Sequence, residues 1–229
     1  VFTNREEAAH QLASKLLLTP AIRQAEPSDL LVLSIPRGGV IVGQAAAQAL
    51  RCDHNVIIVK KIGFPGAEEL AVGAIAEDGL MILDRAMLAW NRLTPHDIKP
   101  QIDQARAKVG RYIHLFRQGK PLNVCDKIVI LVDDGVATGE SMKAAIKWIR
   151  SKPAEEAARR LIVAVPVGSP STVSQLARLV DEVICLLKPA SFQAVGQFYR
   201  HFEQVSDSEV LDILTAAEQD EETRPIVPP

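Results

Sequence analysis

The apolar positions of this chain fall into two rhythms. Short uninterrupted runs, at Leu30 to Ile35, Val56 to Val59, Lys127 to Val132, Leu161 to Val165 and Val183 to Leu187, read as strands covered on both faces. Between them the apolar residues recur every three or four positions. Ala9, Leu12 and Leu16 share one face of a helix that ends near Leu18, and either Thr3 or Asn4 caps its start, because a Glu follows each by three positions. An Ala-rich helix runs to Leu50, another spans Gly139 to Arg150, and Ser169-Pro170 opens a third. Ser206 with Glu209 caps a last helix, and the residues from Glu218 onward read as a frayed tail. Strands alternating with helices predict an α/β fold, a parallel sheet with helices on both faces.

Two segments depart from this alternation. Lys60 to Glu69 holds Gly63, Pro65 and Gly66 and reads as a loop, followed by a strand pair, Ala71 to Ala76 and Met81 to Leu83, around the Glu77-Asp78-Gly79 turn. Residues 84–118 form a helical insertion, with Ile98, Ile102, Ala105, Val109, Tyr112 and Phe116 in one stripe. Pro100 leaves the start of that helix open. The stripe covers the sheet or, alternatively, meets a second copy in a homodimer. One domain over residues 1–217 and a tail over 218–229 account for the whole pattern.

Composition narrows the function. A formal charge of -2 gives no basic surface for nucleic acid. No apolar run is long enough to span a membrane. The first residues do not resemble a signal peptide. Cys52, Cys125 and Cys185 lie far apart without metal-like spacing, which predicts reduced thiols in a cytoplasmic protein.

The chemistry concentrates in Ile130-Leu-Val-Asp-Asp-Gly-Val-Ala-Thr-Gly-Glu-Ser-Met142. A buried strand runs into two adjacent carboxylates, and a turn with Gly135 and Gly139 then leads into a helix. Ligands of open α/β sheets bind at this edge. The turn from Val136 to Ser141 can aim several amides at one anion, aided by the helix dipole and by the hydroxyls of Thr138 and Ser141. Like charges keep Asp133 and Asp134 off a phosphate, so they need partners that donate hydrogen bonds or carry positive charge. Ribose hydroxyls and a magnesium ion meet that need. The P-loop and Gly-x-Gly-x-x-Gly patterns are both absent.

This stretch resembles the signature of type I phosphoribosyltransferases, which use phosphoribosyl pyrophosphate (PRPP). The resemblance implies a Rossmann-like parallel-sheet core, with Asp133 and Asp134 on the ribose hydroxyls and on Mg2+, directly or through water. It implies Gly135, Val136, Ala137, Thr138, Gly139, Glu140 and Ser141 around the 5-phosphate. Pro36-Arg37-Gly38-Gly39 resembles the family's pyrophosphate loop, often strained or cis, so Arg37, Gly38 and Gly39 join the PRPP-binding set. Lys60 and Lys61, at the expected end of the second strand, resemble the basic pair of adenine phosphoribosyltransferases, before a loop that can close over the site. Strand alternation sends the two lysines to opposite faces and leaves open which one serves. Residues 188–205, with Lys188, Phe192, Phe198 and Tyr199, resemble a small hood over the acceptor.

The resemblance runs over about residues 4–215, and is greatest to stand-alone bacterial phosphoribosyltransferases of unassigned acceptor. It implies magnesium-dependent transfer of the phosphoribosyl group to a nitrogenous small molecule, with release of pyrophosphate. Ala137 stands where 6-oxopurine enzymes carry an acid, which argues against hypoxanthine and guanine. The alternative is a PRPP- or nucleotide-binding regulator without turnover.

Overall fold

The computed structural model describes residues 1–222, apart from the side chains at 68, 69 and 218–222. In chain order, helix α1 (Arg5–Leu17) and the short α2 (Pro20–Arg23) precede strand β1 (Leu30–Ser34), helix α3 (Gly38–Leu50) and strand β2 (Asp53–Val56). Strands β3 (Lys60–Phe64), β4 (Ala67–Ile75) and β5 (Met81–Leu83) follow, then helices α4 (Arg85–Trp90) and α5 (Lys99–Arg117). The chain closes with β6 (Ile128–Val132), α6 (Glu140–Arg150), β7 (Arg160–Val167), α7 (Pro170–Leu176), β8 (Glu182–Leu187) and α8 (Asp207–Glu222). The expected tail lies outside the described residues beyond 222, and up to that point it continues α8.

Five strands form one parallel sheet in the order β2-β1-β6-β7-β8. Every residue of β1 and β6 is buried, and alternation divides them between two layers. Leu31, Leu33, Val129 and Leu131 pack with Met142, Ile146 and Ile149 of α6 and with Val173 and Leu176 of α7. Leu30, Val32, Ile130 and Val132 pack with Leu12 and Leu16 of α1 and with Val42 and Ala46 of α3. This is the sheet with helices on both faces that uninterrupted apolar runs require. Asn4 is the cap of α1, its side chain accepting from the Glu7 amide.

Three expectations change. The second parallel strand is Asp53–Val56, and Ile57 to Val59 run on beyond it as buried backbone, the Ile57 amide donating to the Ser34 carbonyl. Lys60 and Lys61 therefore do not end that strand but begin β3. The expected 60–69 loop is largely an antiparallel hairpin, with Gly66 at φ 79° in its turn; β3 pairs with β4, and β4 with β5. The glycines and proline that suggest a loop instead mark the turn and the register shifts of this hairpin. The insertion is two helices rather than one, and Pro100 sits in the first turn of α5, where its missing amide is no loss.

The α5 stripe is buried within the chain. Ile98, Ile102, Ala105, Val109 and Phe116 join Ile62, Val72 and Ile75 of the antiparallel sheet and Val210 and Leu214 of α8 in a third core. An ion pair fastens this core to the rest. The Arg117 guanidinium donates to Glu77 at 2.6 Å, with both side chains 4% exposed, while Glu77 also accepts from the Ile58 amide. Among the described residues no helix is long and apolar enough to cross a membrane.

Candidate functional site

Strand β6 delivers Asp133 and Asp134 to the C-terminal edge of the parallel sheet. Alternation continues past the strand end, so the two carboxylates part company. Asp133 lines a hollow of about 180 Å3 together with Lys61, Gly135, Val136, Ala137, Thr138, Gly139, Glu140, Ser141, Met142 and Val195. Asp134 turns to the α1 layer, where its Oδ2 accepts from Arg5 Nε at 2.8 Å. Arg5 also donates to the Glu203 carbonyl and lies 3.8 Å from the Phe202 ring centre. The Tyr199 hydroxyl donates to the Asp134 carbonyl at 2.6 Å. Burial and the neighbouring Asp134 push the Asp133 carboxyl well above the usual carboxylate range. Burial also raises Asp134, against the opposing pull of Arg5.

The turn after the carboxylates is held from behind. The Val136 amide donates to the Val167 carbonyl, and the Ser169 amide to the Val136 carbonyl. The Ala137 carbonyl accepts from the hydroxyls of Ser169 and Thr172. Gly139 is left-handed, with φ 75°, and a β-carbon there would lie 2.6 Å from Thr172 Cγ2. With its carbonyls engaged in this way, the turn leaves the amides from Ala137 to Ser141 without an acceptor among the described residues. These are the orphan donors of a helix start, and they line the same hollow as Asp133.

The second loop abuts the first. The Pro36–Arg37 peptide is cis. A β-carbon on Gly38 would come within 1.9 Å of Asp134 Oδ2, and one on Gly39 within 3.0 Å of Asp133, so this glycine pair lets the two strand ends close up. The Arg37 side chain extends toward α8 and meets Asp207 at 3.6 Å. Lys61 faces the hollow, whereas Lys60 turns away, its ammonium 3.7 Å from the centre of the Tyr112 ring. Burial, with Arg37 adding to it, lowers the Lys60 ammonium to about 8.

The 188–205 segment is irregular apart from one turn at Val195–Phe198. Of its expected acceptor residues, Lys188 does not converge on the site; it is exposed and lines a separate hollow with Lys15, Thr19 and Glu182. Phe192 packs on Phe198, with ring centres 5.1 Å apart. Tyr199 is buried between Phe2 and Phe202. Val195 is the residue of this segment that reaches the hollow, and sequence reasoning missed it along with Arg5. Only the charge of Arg5 hinted at a carboxylate partner.

The comparisons agree with this architecture. The family model described as "Phosphoribosyl transferase domain" matches residues 3–201. A curated protein of Mycobacterium tuberculosis (strain CDC 1551 / Oshkosh), named "Putative phosphoribosyl transferase MT0597", is 36% identical over 221 residues, 96% of this chain and 48% of that protein. The chain thus spans about half the length of the curated relatives it matches. The crystal structure of TT1426 from Thermus thermophilus superposes with a TM-score of 0.73 at 35% identity, covering 94% of this chain and 98% of that one. With residues 3–201 matched and the carboxylate pair, the glycine turn after it and the second glycine loop assembled at one sheet edge, this chain belongs to the phosphoribosyl transferase family.

Proposed function

We propose that this chain transfers the phosphoribosyl group of PRPP to a nitrogenous acceptor and releases pyrophosphate. The row of unpartnered amides from Ala137 to Ser141, on the hollow that also holds Asp133 and Lys61, carries this reading. The amides and the Thr138 and Ser141 hydroxyls take the 5-phosphate. Asp133 takes the ribose hydroxyls. Asp134, tied to Arg5, fixes the strand end and balances its charge. Lys61 and the Arg37–Gly39 loop face the pyrophosphate side, so that negative charge accumulates on the leaving group where cations wait for it.

Magnesium fits this donor set. No three His, Cys, Asp or Glu side chains gather as a metal cage among the described residues. The carboxylates that line the hollow are Asp133 and Glu140, the latter paired with Lys143 at 3.0 Å, and so sparse a set suits an ion that keeps its waters and takes most ligands from substrate oxygens. When bound, it would neutralise charge on the departing pyrophosphate. The protein's own work is to hold the sugar phosphate, orient C1 toward the acceptor and keep out water, the competing nucleophile.

Ala137 offers no side-chain acid or base for a purine proton, so hypoxanthine and guanine are poor acceptors in this reading. Cys52, Cys125 and Cys185 form no disulfide among the described residues, which accords with a reducing cytoplasm. Isothermal titration tests the assignment. Asp133→Asn with Asp134→Asn abolishes magnesium-dependent PRPP binding while the protein still melts cooperatively, and unchanged affinity in that variant refutes it. A panel of bases and amines, scored by PRPP-dependent pyrophosphate release, identifies the acceptor.

A further inference from the structure

At the first residue of α8, one carboxylate meets Arg37 and attracts Lys60, with two further cations, Lys108 and Arg111, close to Lys60 and Tyr112. Asp207 Oδ1 lies 3.6 Å from Arg37 Nη1. The Tyr112 hydroxyl spans both Asp207 oxygens, at 3.2 and 3.3 Å. Lys60 lies over the same ring, 3.7 Å from its centre, and Arg111 lies 5.8 Å from it. Lys108 adds its repulsion to Lys60. Arg37, from the loop before α3, and Lys60, from β3, share this one negative partner on α8. The side chains of Arg37 and Asp207 are 37% and 29% exposed, so a ligand can reach them.

The fold has little need of this pair. An ion pair at this exposure and separation contributes little to stability. A diphosphate, by contrast, brings more negative charge than one carboxylate and presents oxygens that match the planar guanidinium. Such a ligand wins the exchange for Arg37, and the attraction Arg37 had for Asp207 is subtracted from the ligand's affinity.

We propose that Asp207 is an internal stand-in for pyrophosphate, occupying Arg37 in the ligand-free chain and releasing it when the diphosphate arm of the substrate arrives. The role rests on the PRPP reading above and adds to it a positioning residue that touches no reacting atom. Arg37 is held extended toward α8, and so is ordered before substrate binds. The contribution of Asp207 to affinity is negative. A purely structural carboxylate has the opposite sign, since its removal loosens the site.

The test compares wild type, Asp207→Asn and Asp207→Glu by isothermal titration with PRPP, with inorganic pyrophosphate and with ribose 5-phosphate, all in magnesium. Asp207→Asn binds PRPP and pyrophosphate about two- to five-fold more tightly, the range an exposed pair supports. Its affinity for ribose 5-phosphate, which lacks the diphosphate, does not move, and Asp207→Glu returns the wild-type values. Unchanged or weaker pyrophosphate binding in Asp207→Asn overturns the stand-in role, as does equal tightening of ribose 5-phosphate. If wild type binds PRPP while Asp207→Asn is indifferent, this inference alone fails. If wild type does not bind PRPP, the proposed function fails with it.

Discussion

Replacing Arg5 by Met removes the charge that faces Asp134 and keeps an unbranched side chain to lie against Phe202. Arg5 and Asp134 are 10% and 14% exposed, closer to a buried pair than to a surface one. Breaking a buried pair from one side costs about 3–5 kcal/mol, and residual exposure places this one near the lower end, at about 3 kcal/mol. For a chain of this length that is a fall of about 6–12 °C in melting temperature. The deficit depends on pH. Arg5 is what lowers the Asp134 carboxyl, and burial raises it. Without Arg5 the folded pKa rises further above the unfolded value, so the folded state binds the extra proton and stability falls as pH rises through that window. Calorimetric melts at pH 8 and pH 5 should therefore show the larger deficit at pH 8. Arg5→Met with Asp134→Asn should recover most of the loss. A single variant melting within about 2 °C of wild type at both pH values would refute the reasoning.

Further outcomes follow from the same geometry. Gly139→Ala forces a left-handed alanine against Thr172, about 1–2 kcal/mol of backbone strain alone, and weakens PRPP by at least about tenfold in titration. Lys61→Met raises the KM for PRPP by about tenfold or more, the loss of one charge-assisted contact, whereas Lys60→Met has the smaller effect because Lys60 faces Tyr112. His54 is buried between Ser34 Oγ at 2.8 Å and Gln44 Oε1 at 2.9 Å, and burial lowers it from 6.5 to about 4. Its stability contribution is complete above pH 6.5 and is lost as pH falls through 4, about 3 kcal/mol in all. Denaturant titrations should show His54→Gln losing that much less between those limits.

The parallel sheet and the carboxylate turn were legible because each depends on local pattern. Uninterrupted runs such as Ile128–Val132 are readable as buried strands without knowing their neighbours, and Asp133-Asp134 follows such a run directly. The β3–β4 hairpin was not legible. Its apolar face is met by α5, about forty residues later, and the glycines that shift its register look like loop residues when read alone. Lys60 and Lys61 were correctly sent to opposite faces by alternation, but which face holds the hollow depends on how the antiparallel sheet docks. Arg5 and Val195 reach the site across long stretches of chain, so no spacing rule could find them.

The tie from Arg5 to Asp134 and Glu203 spans 129 and 198 residues of sequence. Phe2 adds to it, exchanging backbone hydrogen bonds with Phe198 and Arg200. During synthesis Phe2 and Arg5 emerge long before their partners, and they wait while β6 and then the 198–203 segment leave the ribosome. Contacts this distant are slow to form, because the loop between them must close first. A growing chain therefore builds its sheet before the carboxylate edge is neutralised. Arg5 can meet Asp134 once β6 is out, but its second anchor, the Glu203 carbonyl, follows only about seventy residues later. The edge that carries the two carboxylates is thus closed by the first and the last parts of residues 2–203, and it is assembled late in the order in which those residues are made.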